Sequence, residues 1–76
     1  MNKTDIHRIW IDDKAIWIET TDGRLGCEYL ASYSRLNNAC HEDLEDFTLS
    51  YYGIHWPKLD EDLSFDGFFA KSGMRV

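Results

Sequence analysis

Two short segments near the start of the chain are separated by a polar turn, and this arrangement constrains the fold more than any other feature. The segments IHRIWI (residues 6–11) and AIWIET (residues 15–20) are rich in β-branched and aromatic residues and have the length of single strands. The intervening DDK is polar and typical of a turn. We therefore predict an antiparallel β-hairpin over residues 6–20.

The isoleucine pattern predicts the register of this hairpin. Pairing Ile9 with Ile18 places the isoleucines on one face and leaves Asp13-Lys14 as a two-residue loop. In that register Trp10 lies directly opposite Trp17, on the other face of the sheet.

A second turn signal, Asp22-Gly23, predicts that a third strand continues the sheet. The Asp-Gly pair favours a two-residue type I′ turn, in which both central residues take positive φ. That turn sets Ile18 opposite Cys27 and Ile16 opposite Tyr29. The predicted core face then comprises Ile9, Ile11, Ile16, Ile18, Leu25, Cys27 and Tyr29. The predicted opposite face comprises Arg8, Trp10, Trp17, Glu19, Arg24 and Glu28.

The remaining elements complete a small α+β fold, which we predict to be a single domain over residues 1–76 with an ordered core over about 5–70. A short helix over residues 41–47 packs the isoleucine face through Leu44 and Phe47, with Cys40 as a further candidate, after a connector anchored by Leu36. A short fourth strand follows over 48–53, and then a C-terminal helical turn capped by Ser64. Residues 71–76 are predicted to form a loose tail.

Charge and cysteine content narrow the classes of function. The chain carries 14 acidic and 8 basic residues, a net charge of −6. This field repels phosphate backbones and attracts a basic protein partner, so direct nucleic-acid binding is not expected. The sequence shows no signal segment and no apolar run near the ~20 residues that span a bilayer, so no membrane association is expected. Two isolated cysteines predict reduced packing residues in a cytoplasmic protein.

The stretch GIHWPKLDEDLSF (residues 53–65) is the first candidate site. As an enzyme or metal centre it would use His55 as a general base, with Asp60, Glu61 and Asp62 as partners or ligands. Consecutive acidic residues point in different directions, however, and the spacing matches no established metal motif. The structural interpretation is that Trp56 fills the edge of the core and the acidic residues precede and cap the final helical turn. A third interpretation is a docking point for a basic partner.

The Trp10–Trp17 pair is the second candidate site. Either another element of the chain covers it, forming a small second core, or it is an exposed aromatic patch suited to a protein interface. The sequence leaves these two alternatives open.

Three stretches of the chain resemble a bacterial family catalogued as domain of unknown function 2442, over about Ile6 to Phe69. They are TTDGRLGCEYL, YSRLNNA and GIHWPKLDEDLSFDGF. The most specific part is Ile54-His55-Trp56-Pro57 followed by Leu59-Asp60-Glu61-Asp62. The chain departs from the family pattern at Tyr33-Ser34, where Phe-Pro is frequent, and at Cys40-His41, where the helix commonly starts with Ser or Thr followed by Pro.

The resemblance implies a small α+β domain without established catalytic residues. It also implies a gene often adjacent to that of another small family, numbered 4160, in an arrangement like a toxin–antitoxin pair. Some relatives carry an added helix-turn-helix domain.

We therefore expect a non-enzymatic protein-interaction module without a cofactor, the acidic, antitoxin-like member of a two-gene pair, with homodimerisation as a further expectation. The residues expected to carry the interaction are Trp10, Trp17, His55, Trp56, Asp60, Glu61 and Asp62. The alternatives are a small metal-binding or hydrolytic protein centred on His55 and Asp60–Asp62, and an accessory subunit of a transcription regulator.

Overall fold

The computed structural model describes residues 1–69 and has the α+β architecture that the sequence predicts. The predicted loose tail, residues 71–76, lies outside this range, as does Ala70, the last position of the predicted core. A first antiparallel sheet has the order β1-β2-β3, formed by Ile6–Ile11, Ala15–Thr20 and Leu25–Tyr29. A second antiparallel sheet has the order β4-β5-β6, formed by Thr48–Leu49, Gly53–Trp56 and Glu61–Ser64.

The first hairpin has the predicted register. Ile9 pairs with Ile18, and Trp10 pairs with Trp17. The Asp12 amide donates to the Ala15 carbonyl at 3.0 Å, which closes the predicted two-residue loop. A bulge interrupts the pairing near the start of β1, between Ile6 and Arg8. The alternation of isoleucine with polar or aromatic residues was therefore sufficient to predict this pair of strands.

The second hairpin does not have the predicted turn. Gly23 has a φ of 91°, but Asp22 does not have positive φ, so the turn is not type I′. The Gly23 amide donates to the Thr20 carbonyl at 3.0 Å, and the Thr20 amide donates to the Arg24 carbonyl at 2.9 Å. The loop thus has three residues, 21–23, with glycine in the left-handed position that follows a type I turn. The Thr20 hydroxyl donates to the Asp22 carboxylate, which lowers the Asp22 pKa and favours this longer loop.

One additional loop residue shifts the β2–β3 register and exchanges the two faces of β3. Ile18 pairs with Gly26 and Ile16 with Glu28, in place of Cys27 and Tyr29. Three residues predicted for the core, Leu25, Cys27 and Tyr29, therefore share the face of Trp10 and Trp17. Glu28, predicted for that face, is buried on the isoleucine side. Because side chains alternate along a strand, a shift of one residue reverses every position.

A 3₁₀ turn and two short α-helices lie between β3 and β4, where the sequence predicted only one helix. A 3₁₀ turn over Leu30–Ser32 leads into α1, Ser34–Asn37, an unpredicted helix that places the predicted anchor Leu36 in the core with no exposed surface. The predicted helix is α2, His41–Glu45, and it buries Leu44 as expected. It ends two residues earlier than predicted. Cys40 is exposed and does not join the core.

The predicted fourth strand over 48–53 is two separate strands. β4 ends at Leu49, and a tight turn through Tyr51 and Tyr52 reverses the chain into β5. The Ser50 amide donates to the Gly53 carbonyl at 2.9 Å and closes this turn. Gly53 therefore begins a strand, whereas the sequence analysis placed it at the end of one.

The closing motif forms a second, unpredicted hairpin between β5 and β6. Pro57 occupies the first central position of the turn, and the Leu59 amide donates to the Trp56 carbonyl at 3.2 Å. Asp60, with a φ of 52°, returns the chain to β6. The acidic residues that were expected to precede a helical turn therefore lie in a loop and a strand.

The final helical turn, over residues 67–69, closes the core. The Ser64 hydroxyl accepts from the Gly67 amide at 3.1 Å, as expected of its predicted cap. Ten buried residues form the core: Ile16, Ile18, Leu30, Leu36, Leu44, Ile54, Trp56, Leu63, Phe65 and Phe68. Within residues 1–69, no helix has both the length and the apolar character needed to cross a bilayer.

Candidate protein-interaction surface

The outer face of the first sheet carries an apolar surface made of side chains from all three strands. We call this the outer face and define it by Trp10, Trp17, Leu25, Cys27 and Tyr29. Leu25 is 55% exposed and Tyr29 is 59% exposed, and both tryptophans are half-buried. Within residues 1–69, the elements that cover the isoleucine side of the sheet leave this side partly exposed.

The two tryptophans form an ordered stack. Their ring centroids are 6.1 Å apart and their planes differ by 7°. The Arg8 guanidinium lies 4.6 Å from the centroid of the Trp10 ring and pairs with Glu19 through a 2.9 Å contact. Stacking and cation–π contacts hold the Trp10 end of the pair in one orientation.

The Trp17 end is held by a hydrogen bond from its indole. The Trp17 Nε1–H donates to Asp12 Oδ2 at 2.9 Å. The same carboxylate accepts from the Lys14 and Ala15 amides of the turn. The hydrogen bond from the Lys14 amide has the largest effect on the Asp12 pKa, and the hydrogen bond from the Trp17 indole has the next largest. Both lower the Asp12 pKa below its ordinary value, so the carboxylate is ionised at neutral pH. Contacts with neighbouring residues thus fix the orientation of both aromatic side chains.

Trp56, the third tryptophan of the predicted site, is in the core. It has no exposed surface, and its Nε1–H donates to the Leu44 carbonyl at 2.9 Å. The Phe47 ring packs against it at 6.1 Å in a tilted geometry. This placement matches the structural interpretation of the closing motif, in which Trp56 fills the core.

His55 lies on the opposite face of the closing hairpin from Trp56. It pairs directly with Asp62 across the two strands, and its Nδ1 is 2.7 Å from Asp62 Oδ1. The imidazole is 39% exposed and the carboxylate 75% exposed. The pair is therefore a cross-strand contact at the protein surface.

The three consecutive acidic residues of the closing motif have different partners and do not converge. Asp60 lies in the loop, where its carbonyl accepts from Arg35 Nη1 at 2.6 Å and its carboxylate lies 3.7 Å from the same atom. Glu61 pairs with Trp56 across the hairpin, whereas Asp62 pairs with His55. Among residues 1–69, no group of three or more His, Cys, Asp or Glu side chains is placed to hold a metal ion.

An open depression of about 180 Å³ lies beside Asp62, and its lining includes two serines, Ser50 and Ser64. Each hydroxyl already contacts the backbone. Ser50 Oγ donates to the Gly53 carbonyl at 3.2 Å, and Ser64 Oγ accepts from the Gly67 amide. Asp62 belongs to the lining of this depression and His55 does not.

Replacing His55 with alanine is expected to lower the free energy of unfolding by less than about 1 kcal/mol, because the pair with Asp62 is exposed and screened by solvent. Urea unfolding of the single variants H55A and D62A and of the double variant measures the coupling between the two side chains. A loss above about 2 kcal/mol for H55A alone would contradict a surface role, since such losses indicate buried groups.

Half of the acidic residues are concentrated on α2 and the closing hairpin. They are Glu42, Asp43, Glu45, Asp46, Asp60, Glu61 and Asp62, seven of the 14 in the chain. Lys58, in the turn of the closing hairpin, lies 3.2 Å from Asp46 and 4.0 Å from Asp43. The Asp46 carboxylate raises the Lys58 pKa, so this amine is protonated at neutral pH. We call this set of carboxylates the acidic surface.

The structure therefore separates the predicted site residues. Trp10 and Trp17 lie on the outer face, Trp56 lies in the core, and His55 and Asp60–Asp62 lie on the closing hairpin. Sequence reasoning missed Leu25, Cys27 and Tyr29 as members of the outer face. The signal that would have found them is the Thr-x-Asp-Gly turn, in which the threonine and aspartate side chains support the three-residue loop.

Comparison with known families identifies one match. The model of a family described as protein of unknown function (DUF2442) matches residues 6–73, nearly the whole chain. The chain therefore belongs to this family. No curated protein and no solved structure matches it.

Proposed function

We propose that this member of the DUF2442 family is a non-enzymatic, cytoplasmic protein-binding module that docks a basic protein on its outer face. The observation that carries the proposal is the stacked Trp10–Trp17 pair, held in place by Arg8 and Asp12 and bordered by Leu25 and Tyr29, both more than half exposed. Contiguous apolar surface rimmed by polar groups is typical of protein interfaces.

The composition of the outer face supports a protein partner. Tryptophan and tyrosine supply much of the binding energy in protein interfaces, because they bury a large area at little entropic cost. The stacked pair presents such groups already oriented, and an extended apolar surface suits a complementary protein surface better than a small polar substrate. The free thiols of Cys27 and Cys40 support a location in a reducing compartment.

The acidic surface supports the basic character of the partner. The net charge of −6 creates a long-range field, and the seven carboxylates of the acidic surface are half of the acidic residues that produce it. Such a field increases the association rate of a basic partner, whereas the contacts of the tryptophans determine its dissociation rate. In this proposal Asp60–Asp62 contribute charge to this field, and His55 contacts Asp62 at 2.7 Å.

The family resemblance suggests where to look for the partner. We propose that the chain is the acidic, antitoxin-like member of a two-gene pair and that it holds or neutralises the product of the adjacent gene. The test is co-purification of the two proteins after co-expression, followed by a measured dissociation constant for the complex.

Replacing Trp17 with alanine is expected to weaken that complex at least about thirtyfold, because central tryptophans of an interface contribute 2 kcal/mol or more. Tyr52→Ala is the matched control, since Tyr52 is an exposed aromatic residue of the second sheet and lies away from the outer face. Its complex is expected to keep the dissociation constant of the native chain. Thermal melting of both variants checks that each remains folded.

The dependence of binding kinetics on ionic strength is an independent test of the role of the acidic surface. Raising the ionic strength is expected to slow association with little change in the dissociation rate, because steering acts over the Debye length and the apolar contact does not. The proposal fails if the adjacent gene product does not bind, or if it binds W17A and Y52A equally well.

A further inference from the structure

Strand β3 is an edge strand, and its register shows which of its backbone groups point outward. β2 is its only neighbour within residues 1–69. The Thr20 amide donates to the Arg24 carbonyl and the Leu30 amide donates to the Lys14 carbonyl, both at 2.9 Å. Backbone hydrogen bonds in an antiparallel pair alternate along the strand. The even-numbered residues of β3 therefore bond to β2, and the amides and carbonyls of Leu25, Cys27 and Tyr29 point away from it.

This edge lacks the features that normally prevent strands from pairing. Natural edge strands are protected by prolines, bulges or charged side chains. β3 has the sequence LGCEY, without proline or lysine, and its pairing with β2 is regular. Its one charged residue, Glu28, is buried on the inner side. The other edge of the same sheet, β1, has both a bulge and the exposed Arg8.

We propose that the β3 edge pairs with β3 of a second copy of this chain, antiparallel and with Cys27 on the two-fold axis. This register is the one that overlaps all five residues of the strand. It places Cys27 opposite Cys27 of the second copy, and Leu25 opposite Tyr29 of the second copy. The pairs are hydrogen-bonded because the outward-pointing groups face each other, and the contact is self-complementary, as two-fold symmetry requires.

Charge favours a second copy over a basic strand as the occupant of this edge. A basic segment would be attracted to carboxylates, but none projects outward from β3. Two chains of net charge −6 repel each other over most of their surface, and a neutral, apolar strand edge is where that repulsion is weakest. Leu25 and Tyr29, each more than half exposed in the single chain, gain a cross-strand apolar contact with each other.

The pairing extends beyond the proposed function and is compatible with it. Two copies joined at β3 form one continuous six-stranded sheet, and their outer faces merge into a single surface with a tryptophan stack towards each end. This surface offers a partner two aromatic docking points in place of one.

The first test is sedimentation equilibrium of the full chain. The native chain is expected to have twice the single-chain mass of 8.9 kDa. The double variant Leu25→Lys/Tyr29→Lys is expected to sediment at the single-chain mass, because lysines directly opposite each other repel in both outer pairs. Leu49→Lys is the matched control, since Leu49 is an exposed leucine at an edge of the other sheet and its variant is expected to remain dimeric.

The second test determines the register with a short thiol-to-thiol cross-linker. Cys27 residues in a hydrogen-bonded pair have Cα atoms about 5.5 Å apart, within reach of a bismaleimide. The Cys40→Ser variant is expected to give a covalent dimer on denaturing gels, and Cys27→Ser is expected to give none. Cross-linking that survives Cys27→Ser but is lost in Cys40→Ser would overturn the register.

A native chain that sediments as a monomer overturns the proposed dimer. Retention of the dimer by the double lysine variant overturns it as well. A monomer that still binds its basic partner through Trp17 leaves the proposed function standing, whereas a dimer with no Trp17-dependent partner removes the proposed function and keeps the pairing.

Discussion

Trp56→Ala is expected to unfold most of the protein, because it removes the largest fully buried side chain of the core. Tryptophan-to-alanine changes at buried sites lower the free energy of unfolding by about 3–5 kcal/mol. A chain of fewer than about 70–80 residues rarely has more than about 3–5 kcal/mol in total. The change also leaves the Leu44 carbonyl without its indole donor. Urea unfolding followed by circular dichroism measures the loss.

Two further variants separate packing from hydrogen bonding. Trp56→Phe keeps most of the apolar volume and loses the donor, so it is expected to lower the free energy of unfolding by about 1–3 kcal/mol, the penalty for a buried acceptor left unpaired. Trp10→Ala is the matched tryptophan control on the half-buried outer face and should have a smaller effect than Trp56→Ala. Equal losses for W56A and W10A would contradict the assignment of Trp56 to the core and Trp10 to the surface.

Gly53→Ala is expected to destabilise the second sheet, although glycine there has an ordinary backbone conformation. A Cβ at this position would lie 2.3 Å from the Leu63 carbonyl oxygen and 3.1 Å from Ser64 Cα. Both atoms belong to the backbone of the paired strand β6 and cannot rotate away. The two strands must separate, so we expect a loss at the upper end of the about 1–3 kcal/mol typical of overpacking, measured by thermal melting.

Gly67→Ala is the matched control for this prediction. A Cβ there meets only side-chain oxygens, Ser64 Oγ at 3.2 Å and Glu28 Oε2 at 3.3 Å, both of which can move. Alanine is also favoured over glycine by about 1 kcal/mol within a helical segment. A Gly53→Ala variant that melts within a degree or two of Gly67→Ala would show that β5 and β6 do not approach each other as closely as described.

Much of the first sheet was predictable because local sequence determines local pairing there. The isoleucines of β1 and β2 alternate with polar and aromatic residues. If the isoleucines of both strands share one face, a single register is possible. Ile9 and Ile18 therefore pair as predicted, and Trp10 faces Trp17. The anchor Leu36 and the cap Ser64 were likewise predicted correctly from single residues.

The error in β3 came from a choice between two hairpin turns that the Asp-Gly pair alone does not settle. Both types place glycine at positive φ, and they differ by one residue in loop length. The choice depends on Thr20, whose hydroxyl contacts both Asp22 and the Arg24 amide at the base of the loop. This one-residue difference decided whether Leu25 and Tyr29 belong to the core or to the candidate interaction surface.

The closing hairpin was missed because Pro57 was taken to end strand pairing. Proline lacks an amide hydrogen, but the first central position of a turn needs none, and there the fixed φ of proline is favourable. With Pro57 in the turn, Ile54, Trp56 and Leu63 point inward, while His55 and Asp62 meet on the other side. The alternation of apolar and polar residues on both sides of Pro57 was the sequence signal that would have predicted this hairpin.

The sequence by itself determined the α+β class, the first hairpin with its tryptophan pair, and the acidic character of the surface. Each of these follows either from the alternation of apolar and polar residues, which acts between near neighbours, or from composition, which is a property of the whole chain. Only the tertiary structure decided which face of β3 is buried, that Trp10 and Trp17 are accessible whereas Trp56 is not, and that the carboxylates of the closing motif diverge. Those outcomes depend on the competition of several segments for one small core, and local preferences do not encode the result of that competition.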